Sequence, residues 1–144
     1  MRAMVSAEEL YRLAGEQLLA RGVVEIPISG GSMLPTLRPD RDRVRLERRD
    51  FYRKGDIVLA RAQYPGGEGI FLHRVVATDG DRVILMGDAN LQQRERCLQS
   101  QIHGRVAAII SPQGEHAPSP LPLRIRLRRL LHKIKNFQKF SSIS

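Results

Sequence analysis

Aromatic residues and cysteines are scarce in this chain of 144 residues. It has no tryptophan, three tyrosines, four phenylalanines and a single cysteine, Cys97. One cysteine cannot form an internal disulfide, and it excludes a thiolate cluster that would hold a metal. The core must therefore be built mainly from Val, Ile and Leu, which favours a sheet-rich or mixed domain. A reducing cytoplasm is compatible with this composition.

Long apolar runs are also missing. No window approaches the roughly 18 apolar residues of a membrane-spanning helix, and Glu8, Glu9 and Glu16 interrupt the only early apolar stretch. We therefore expect neither a signal peptide nor a spanning segment. The expected location is cytoplasmic, and any contact with the inner membrane face would be peripheral.

Acidic residues are absent from residues 121–144, although this segment holds seven basic ones. The formal net charge of the whole chain is +9, so the remainder is nearly neutral. A basic balance is typical of proteins that bind nucleic acid or anionic membranes. Here that interpretation applies only to the C-terminal tail.

The chain begins with a helix signal and continues with strand signals. Ser6 and Glu9 form a capping box, and Gly22 is a typical helix end, so a helix is predicted over residues 7–21. Short β-prone runs separated by Gly, Pro and Asp turns then predict strands at 23–28, 44–46, 57–62, 70–77, 83–86 and 106–110. The predicted fold is mainly β, a coiled or barrel-like sheet.

Three parts are expected along the chain. Residues 1–110 would form the folded domain, and residues 111–122, with four prolines, a semi-rigid linker. Residues 123–144 would form a basic amphipathic helix that binds an anionic membrane surface or a protein partner. Packing of its apolar face on the body is the alternative, and nucleic acid is not expected as a partner. The apolar face comprises Leu123, Leu127, Leu130, Leu131, Ile134 and Phe137, with Arg124, Arg128, Lys135 and Lys139 elsewhere on the wheel.

A serine lies on a glycine-flanked loop in the segment GGSMLPTL, residues 30–37. Alone, such a segment is typical of a turn. Three further segments follow it: GDIV at 55–58, LHRVV at 72–76 and GDAN at 87–90. In this order and spacing the four segments resemble the type I signal peptidase and LexA superfamily of serine peptidases, over roughly residues 23–110.

The resemblance implies a β-rich fold and a serine nucleophile, here Ser32. Its base is a lysine in most of the family and a histidine in the branch of endoplasmic-reticulum and archaeal signal peptidases. No lysine matches the catalytic position, where His73 stands instead, and GDAN is similar to the GDNN segment of the histidine branch. The match implies a constellation of Ser32, His73 and Asp88. The lysines of the chain are Lys54, Lys133, Lys135 and Lys139.

These residue types suit acyl transfer, because a serine hydroxyl is a weak nucleophile until a positioned base removes its proton. Neutral His73 can be that base, and a carboxylate at its other ring nitrogen, assigned to Asp88, would fix the tautomer. The Ser32 amide is the first candidate for the oxyanion donor, and Met33 and Pro35 beside it are expected to contact substrate. No metal or other cofactor is expected, since His103, His116 and His132 lack ligand spacing.

The predicted function is a serine endopeptidase that cleaves a signal-like or leader peptide after small residues, as the resemblance implies. A non-catalytic peptide-binding module of the same fold is the main alternative. A LexA-type self-cleaving regulator is a second one, which is disfavoured for two reasons. The residues before Ser32 hold one predicted helix, whereas a helix-turn-helix needs two, and that type of regulator would demand a lysine base.

Overall fold

Helix α1 spans Ala7–Arg21 in the computed structural model, which describes residues 6–141 and the side chains of residues 6–135. The Ser6 hydroxyl accepts a hydrogen bond from the Glu9 amide at 3.1 Å, which caps the first turn. Gly22, at φ 79°, ends the helix in the left-handed conformation that glycine adopts without strain. The predicted N-terminal helix is confirmed.

The rest of the body is a single antiparallel sheet, which confirms the mainly β prediction. In the described part of the chain its order is β1-β2-β7-β3-β4-β5-β6, with β8 paired to β7. A further pairing of Gln63 with Arg96 joins β3 to β6, so the four strands from β3 to β6 close into a barrel. The strands are β1 Val23–Pro27, β2 Arg43–Glu47, β3 Ile57–Tyr64, β4 Gly67–Asp79, β5 Arg82–Met86, β6 Glu95–Leu98, β7 Ile102–Ser111 and β8 Gly114–His116.

Two apolar clusters form the core. The larger one lies where α1 covers the sheet, and Leu18, Leu37, Leu46 and Leu59 are fully buried within it. The smaller one fills the closed barrel. Its members are Tyr52, Val58, Ala60, Ala62, Val75, Val83, Leu85, Cys97 and Ile102. The two faces of β3 and β4 are therefore both covered, and their residues alternate between the two clusters.

Two strands were not predicted. Strand β6 could not be predicted from an apolar run, because Cys97 and Leu98 are its only apolar residues. Its inward positions are Glu95 and Cys97. Strand β8 falls inside the predicted linker, where it pairs with the end of β7 through a turn that contains Gly114 at φ 124°. The folded body therefore extends to His116, and the connection to the C-terminal helix is shorter than predicted.

The C-terminal helix, α2, spans Leu123–Ser141. Phe137 and Lys139, assigned to its two faces from the sequence, lie outside the residues whose side chains are described. The connection before α2 is fixed on the body, because Arg74 Nη1 donates to the Ser119 carbonyl at 3.1 Å. Among the described residues, none of the helices combines the length and the apolar content needed to cross a membrane.

Candidate active site

The serine loop follows β1 and lies on the rim of the body. Ser32 is exposed, whereas the next residue, Met33, is buried at 2 % exposure in the larger apolar cluster. Turn bonds hold the segment, with Leu34 N–H on the Gly31 carbonyl at 3.2 Å and Leu37 N–H on the Met33 carbonyl at 2.9 Å. The Met33 side chain anchors the loop in the core, so the predicted contact of Met33 with substrate would have to be made by its backbone.

A second loop, residues 87–92, packs directly against the serine loop. Ala89 N–H donates to the Ser32 carbonyl at 3.0 Å, and Asp88 N–H lies 3.3 Å from Met33 Sδ. A Cβ atom at Gly87 would lie 2.6 Å from the Ser32 carbonyl oxygen and 3.1 Å from His73 Nε2. Only glycine fits at this point, and its small size allows the serine loop and the imidazole to approach each other.

His73 lies on β4 with its side chain inside the barrel end, at 5 % exposure. Its ring is 5.2 Å from that of Phe71, which shares its face of the strand. The Nδ1 atom is hydrogen-bonded to Glu95 Oε1, and Nε2 is directed to Gly87 and the serine loop. Within the described residues Arg105 Nε is the only fully buried side-chain nitrogen or oxygen without a hydrogen-bond partner, so His73 Nε2 keeps some exposure to solvent.

Glu95, which the sequence analysis did not assign, is the carboxylate that orients His73. It is fully buried at 0 % exposure, and its second oxygen accepts from Gln93 Nε2 at 3.2 Å. Burying a carboxylate is costly unless it is paired and hydrogen-bonded, and here the imidazole supplies the pairing. No motif marks this residue in the sequence. The available signal was the alternation of residues 95–98, which places Glu95 on the same face of the strand as Cys97.

Asp88, which was expected to orient His73, is bonded elsewhere. Both of its carboxylate oxygens accept from Arg74, with Nε to Oδ1 and Nη2 to Oδ2 each at 2.9 Å. Thr36 Oγ1 donates to the same carboxylate. The predicted contact of Asp88 with His73 is therefore wrong. The reason is that Arg74 follows His73 on β4 and its side chain leaves the opposite face of the sheet, where Asp88 lies.

All four segments that carry the family resemblance meet in this region. Arg74 Nη1 donates to the Gly55 carbonyl at 3.0 Å, which ties the GDIV segment to the strand that holds His73. Val75 exchanges backbone hydrogen bonds with Gly55 and Asp56 at 2.8 and 2.7 Å. Segments separated by up to about 60 positions in the sequence thus form one contiguous cluster around Ser32 and His73.

Ser32 opens into a shallow cleft of about 490 Å³, lined by Ser32, Ala89, Asn90, Leu91, Gln92 and His132. A neighbouring cavity of about 260 Å³ includes Pro35 together with Asp88 and residues of α2, so Pro35 faces the helix. A third cavity, of about 620 Å³, is formed mainly by residues of β4, β5 and β6, and neither Ser32 nor His73 lines it. We assign the site to the Ser32 cleft because Ser32 is exposed there, and because loop 87–92, which lines the cleft, lies close to His73 at Gly87.

Metal ligands are not assembled here. Across residues 6–141, as far as side chains are described, no group of three or more His, Cys, Asp or Glu is arranged to hold an ion. Ser32, His73 and Glu95 instead have the side-chain types of a nucleophile, a base and a carboxylate that orients the base. The Ser32 carbonyl oxygen and His73 Nε2 both lie close to Gly87, and the hydrogen bonds of unliganded catalytic sites commonly tighten only with substrate bound.

No protein-family model, curated protein or solved structure matches this chain. The resemblance to signal peptidases therefore rests on the four segments and on the histidine branch that they indicate.

Proposed function

We propose that this protein is a serine endopeptidase of the signal-peptidase-like kind, with Ser32 as nucleophile, His73 as base and Glu95 as the residue that positions the base. One observation carries the proposal. The His73 ring is held between Glu95 at Nδ1 and the serine loop on the side of Nε2, where Gly87 allows the close approach.

In the proposed reaction Ser32 Oγ attacks the carbonyl carbon of the scissile peptide bond while its proton passes to His73 Nε2. Glu95, bonded at Nδ1, stabilises the imidazolium that forms. The Ser32 amide is the candidate donor to the developing oxyanion. Collapse of the tetrahedral intermediate breaks the C–N bond, and His73 returns the proton to the leaving amine. Water then hydrolyses the acyl-enzyme with His73 again as base.

The proposed substrate is a polypeptide with a signal-like or leader segment, cleaved after small residues. This follows from the family resemblance, and the shallow cleft beside Ser32 is compatible with an extended chain bound across an open surface. A peptide-binding module without hydrolysis is the competing function, and it predicts binding of the same peptides with no covalent chemistry at Ser32. The self-cleaving regulator has weaker support, because that type of regulator would use a lysine base and the matching position holds His73.

The test is covalent labelling with a fluorophosphonate probe together with cleavage of synthetic leader peptides, read by mass spectrometry. The wild-type chain should be labelled at Ser32, and Ser32→Ala should lose both labelling and cleavage while its free energy of unfolding changes by less than about 1 kcal/mol. Ser29→Ala, in the same segment, is the matched control and should retain both. Peptide binding without labelling or cleavage in the wild type would establish the binding module instead.

His73→Ala should lose about as much activity as Ser32→Ala, because the members of one catalytic unit are not additive. The double variant should then be no slower than either single variant. A double variant far slower than both singles would refute the pairing.

A further inference from the structure

Helix α2 rests on the loop that borders Ser32, and it does so through a polar face. Arg129 donates to the Gly87 carbonyl at 2.8 Å and to the Asn90 carbonyl at 3.3 Å. His132 Nε2 lies 2.9 Å from Gln92 Nε2. Ile125 is the one buried apolar residue in the part of α2 whose side chains are described, at 4 % exposure. One face of the helix is therefore already occupied by the body.

The apolar stripe of α2 is left uncovered. Its members are exposed at 45–64 %: Leu123, Leu127, Leu130, Leu131 and Ile134. At about 100° per residue these five positions span an arc of about 100°, and the centre of that arc is nearly opposite the centre of Ile125, Arg129 and His132. The helix packs on the body through the face opposite to the stripe. Its apolar stripe therefore points to solvent and not into the core.

Basic residues border the stripe on both sides. On the same helical wheel Arg124, Arg128 and Lys135 lie along one edge, and Arg126 and Lys133 lie along the other. All five are exposed, and residues 123–141 contain no acidic residue. This arrangement of a leucine stripe between two cationic edges is typical of helices that lie in the plane of a membrane interface.

The rest of the body offers a contrast. Helix α1 turns Tyr11, Ala14 and Leu18 into the core, and the large apolar side chains exposed elsewhere in the described residues are separated along the chain, for example Leu19, Phe51 and Leu98. A second copy of this chain is a poor occupant for the stripe, because pairing two stripes would bring the cationic edges of both copies together. An anionic surface satisfies the edges and the stripe at once.

We propose that α2 binds the surface of an anionic lipid membrane, with its stripe of Leu123, Leu127, Leu130, Leu131 and Ile134 in the headgroup boundary. Arg129 on the opposite face keeps the helix attached to loop 87–92, so the Ser32 cleft is held beside the lipid surface. Membrane binding itself is independent of the proposed peptidase function. The consequence for substrate choice rests on that function: polypeptides anchored at the membrane are favoured over free ones.

The binding test uses the full chain and vesicles of phosphatidylglycerol and phosphatidylcholine in equal amounts, compared with phosphatidylcholine alone. At about 0.05 M salt the wild type should sediment with the anionic vesicles, and about 0.5 M salt should weaken binding by screening. Leu127→Gln with Leu131→Gln should lower partitioning at least about tenfold. Arg128→Gln with Lys135→Gln should lower it roughly ten- to thirtyfold at low salt. The matched control, Leu19→Gln with Leu98→Gln on the body, should bind as the wild type.

Three outcomes would overturn the proposal: no sedimentation with anionic vesicles at low salt, equal binding by the stripe variant, or a dimer in analytical ultracentrifugation that the stripe variant dissolves. Ser32→Ala should bind vesicles normally, which separates this proposal from the peptidase. The stripe variant should cleave a soluble peptide at the wild-type rate and a lipid-tethered peptide several-fold more slowly. Cleavage of both peptides at unchanged rates would remove the link between membrane and substrate.

Discussion

Two adjacent residues of β4, His73 and Arg74, each pair with a buried carboxylate, yet the two pairs differ in what they leave unused. The Arg74 guanidinium donates hydrogen bonds to both carboxylate oxygens of Asp88 and to two backbone carbonyls. Asp88 in turn accepts from Thr36. Every strong donor and acceptor in this pair has a partner, so the pair can hold a structure together but has no capacity for proton transfer.

The His73 and Glu95 pair is equally buried, with side-chain exposures of 6 % and 0 % against 3 % and 0 % for Arg74 and Asp88. Its difference is one ring nitrogen, Nε2, which faces the serine loop across Gly87. Burial therefore does not distinguish the Arg74 pair from the pair proposed to act in catalysis. The unused ring nitrogen near the proposed nucleophile does, because general base catalysis requires a position that can accept a proton.

The largest effect that separates the pairs is on catalysis. Glu95→Gln should lower kcat by roughly 10²–10⁴, because an amide that donates to Nδ1 favours the tautomer with its proton on Nε2, where it blocks the base. Its free energy of unfolding should change by less than about 2 kcal/mol, since the shape is kept. Measurements of kcat on a leader peptide and of urea unfolding check both parts. Retained activity would return Glu95 to a structural role.

The converse effect is on stability. Asp88→Asn should destabilise the fold by about 3–5 kcal/mol, because the Arg74 charge stays buried after its partner has gone. Urea unfolding measures this value, and Asp40→Asn is the matched control, since the exposed Asp40 pairs with Arg38 only at 3.7 Å and should cost about 0.5 kcal/mol or less. If Asp88→Asn is as stable as the wild type but inactive, the roles of the two carboxylates are reversed.

The mainly β fold class and two of the three candidate site residues could be predicted from the sequence. Six strands and both helices follow from periodicity, capping and turn residues, all of which act within a few positions. Ser32 and His73 were identified as site residues by the order and spacing of the four segments that resemble the signal-peptidase family. The partner of His73 could not be read in this way, because the contact with Glu95 is made across the closed barrel, with β5 between β4 and β6 in the strand order.

The face through which α2 packs on the body could not be predicted from the sequence, for a related reason. Amphipathic periodicity identifies an apolar stripe and normally assigns it to the core. Here the body presents backbone carbonyls of Gly87 and Asn90, which require a donor, and Arg129 provides it. The orientation of such a helix depends on carbonyl groups of the body that need a donor. Their positions are known only once the conformation of the loops is known.

The smallest effect concerns Cys97, which lies on the same face of β6 as Glu95 and reports on that neighbour through the reactivity of its thiol. Burial, with a further contribution from the Glu95 charge, raises the pKa of the Cys97 thiol from 9.0 to about 11. The thiolate is the reactive form, so at pH 8 the thiolate population is about a hundredfold below that of an unperturbed thiol, and iodoacetamide should react slowly. Glu95→Gln removes the contribution of the Glu95 charge and therefore lowers the pKa of the Cys97 thiol. Labelling should become about two- to fivefold faster, a smaller change than loss of burial would cause.

The labelling rates need correction for global opening, which the free energies of unfolding supply. Glu16→Gln, at an exposed position on α1, is the control and should leave the rate unchanged. A corrected rate that does not rise in Glu95→Gln would mean that the Glu95 carboxylate adds nothing to the raised pKa of the Cys97 thiol, and that burial alone accounts for it.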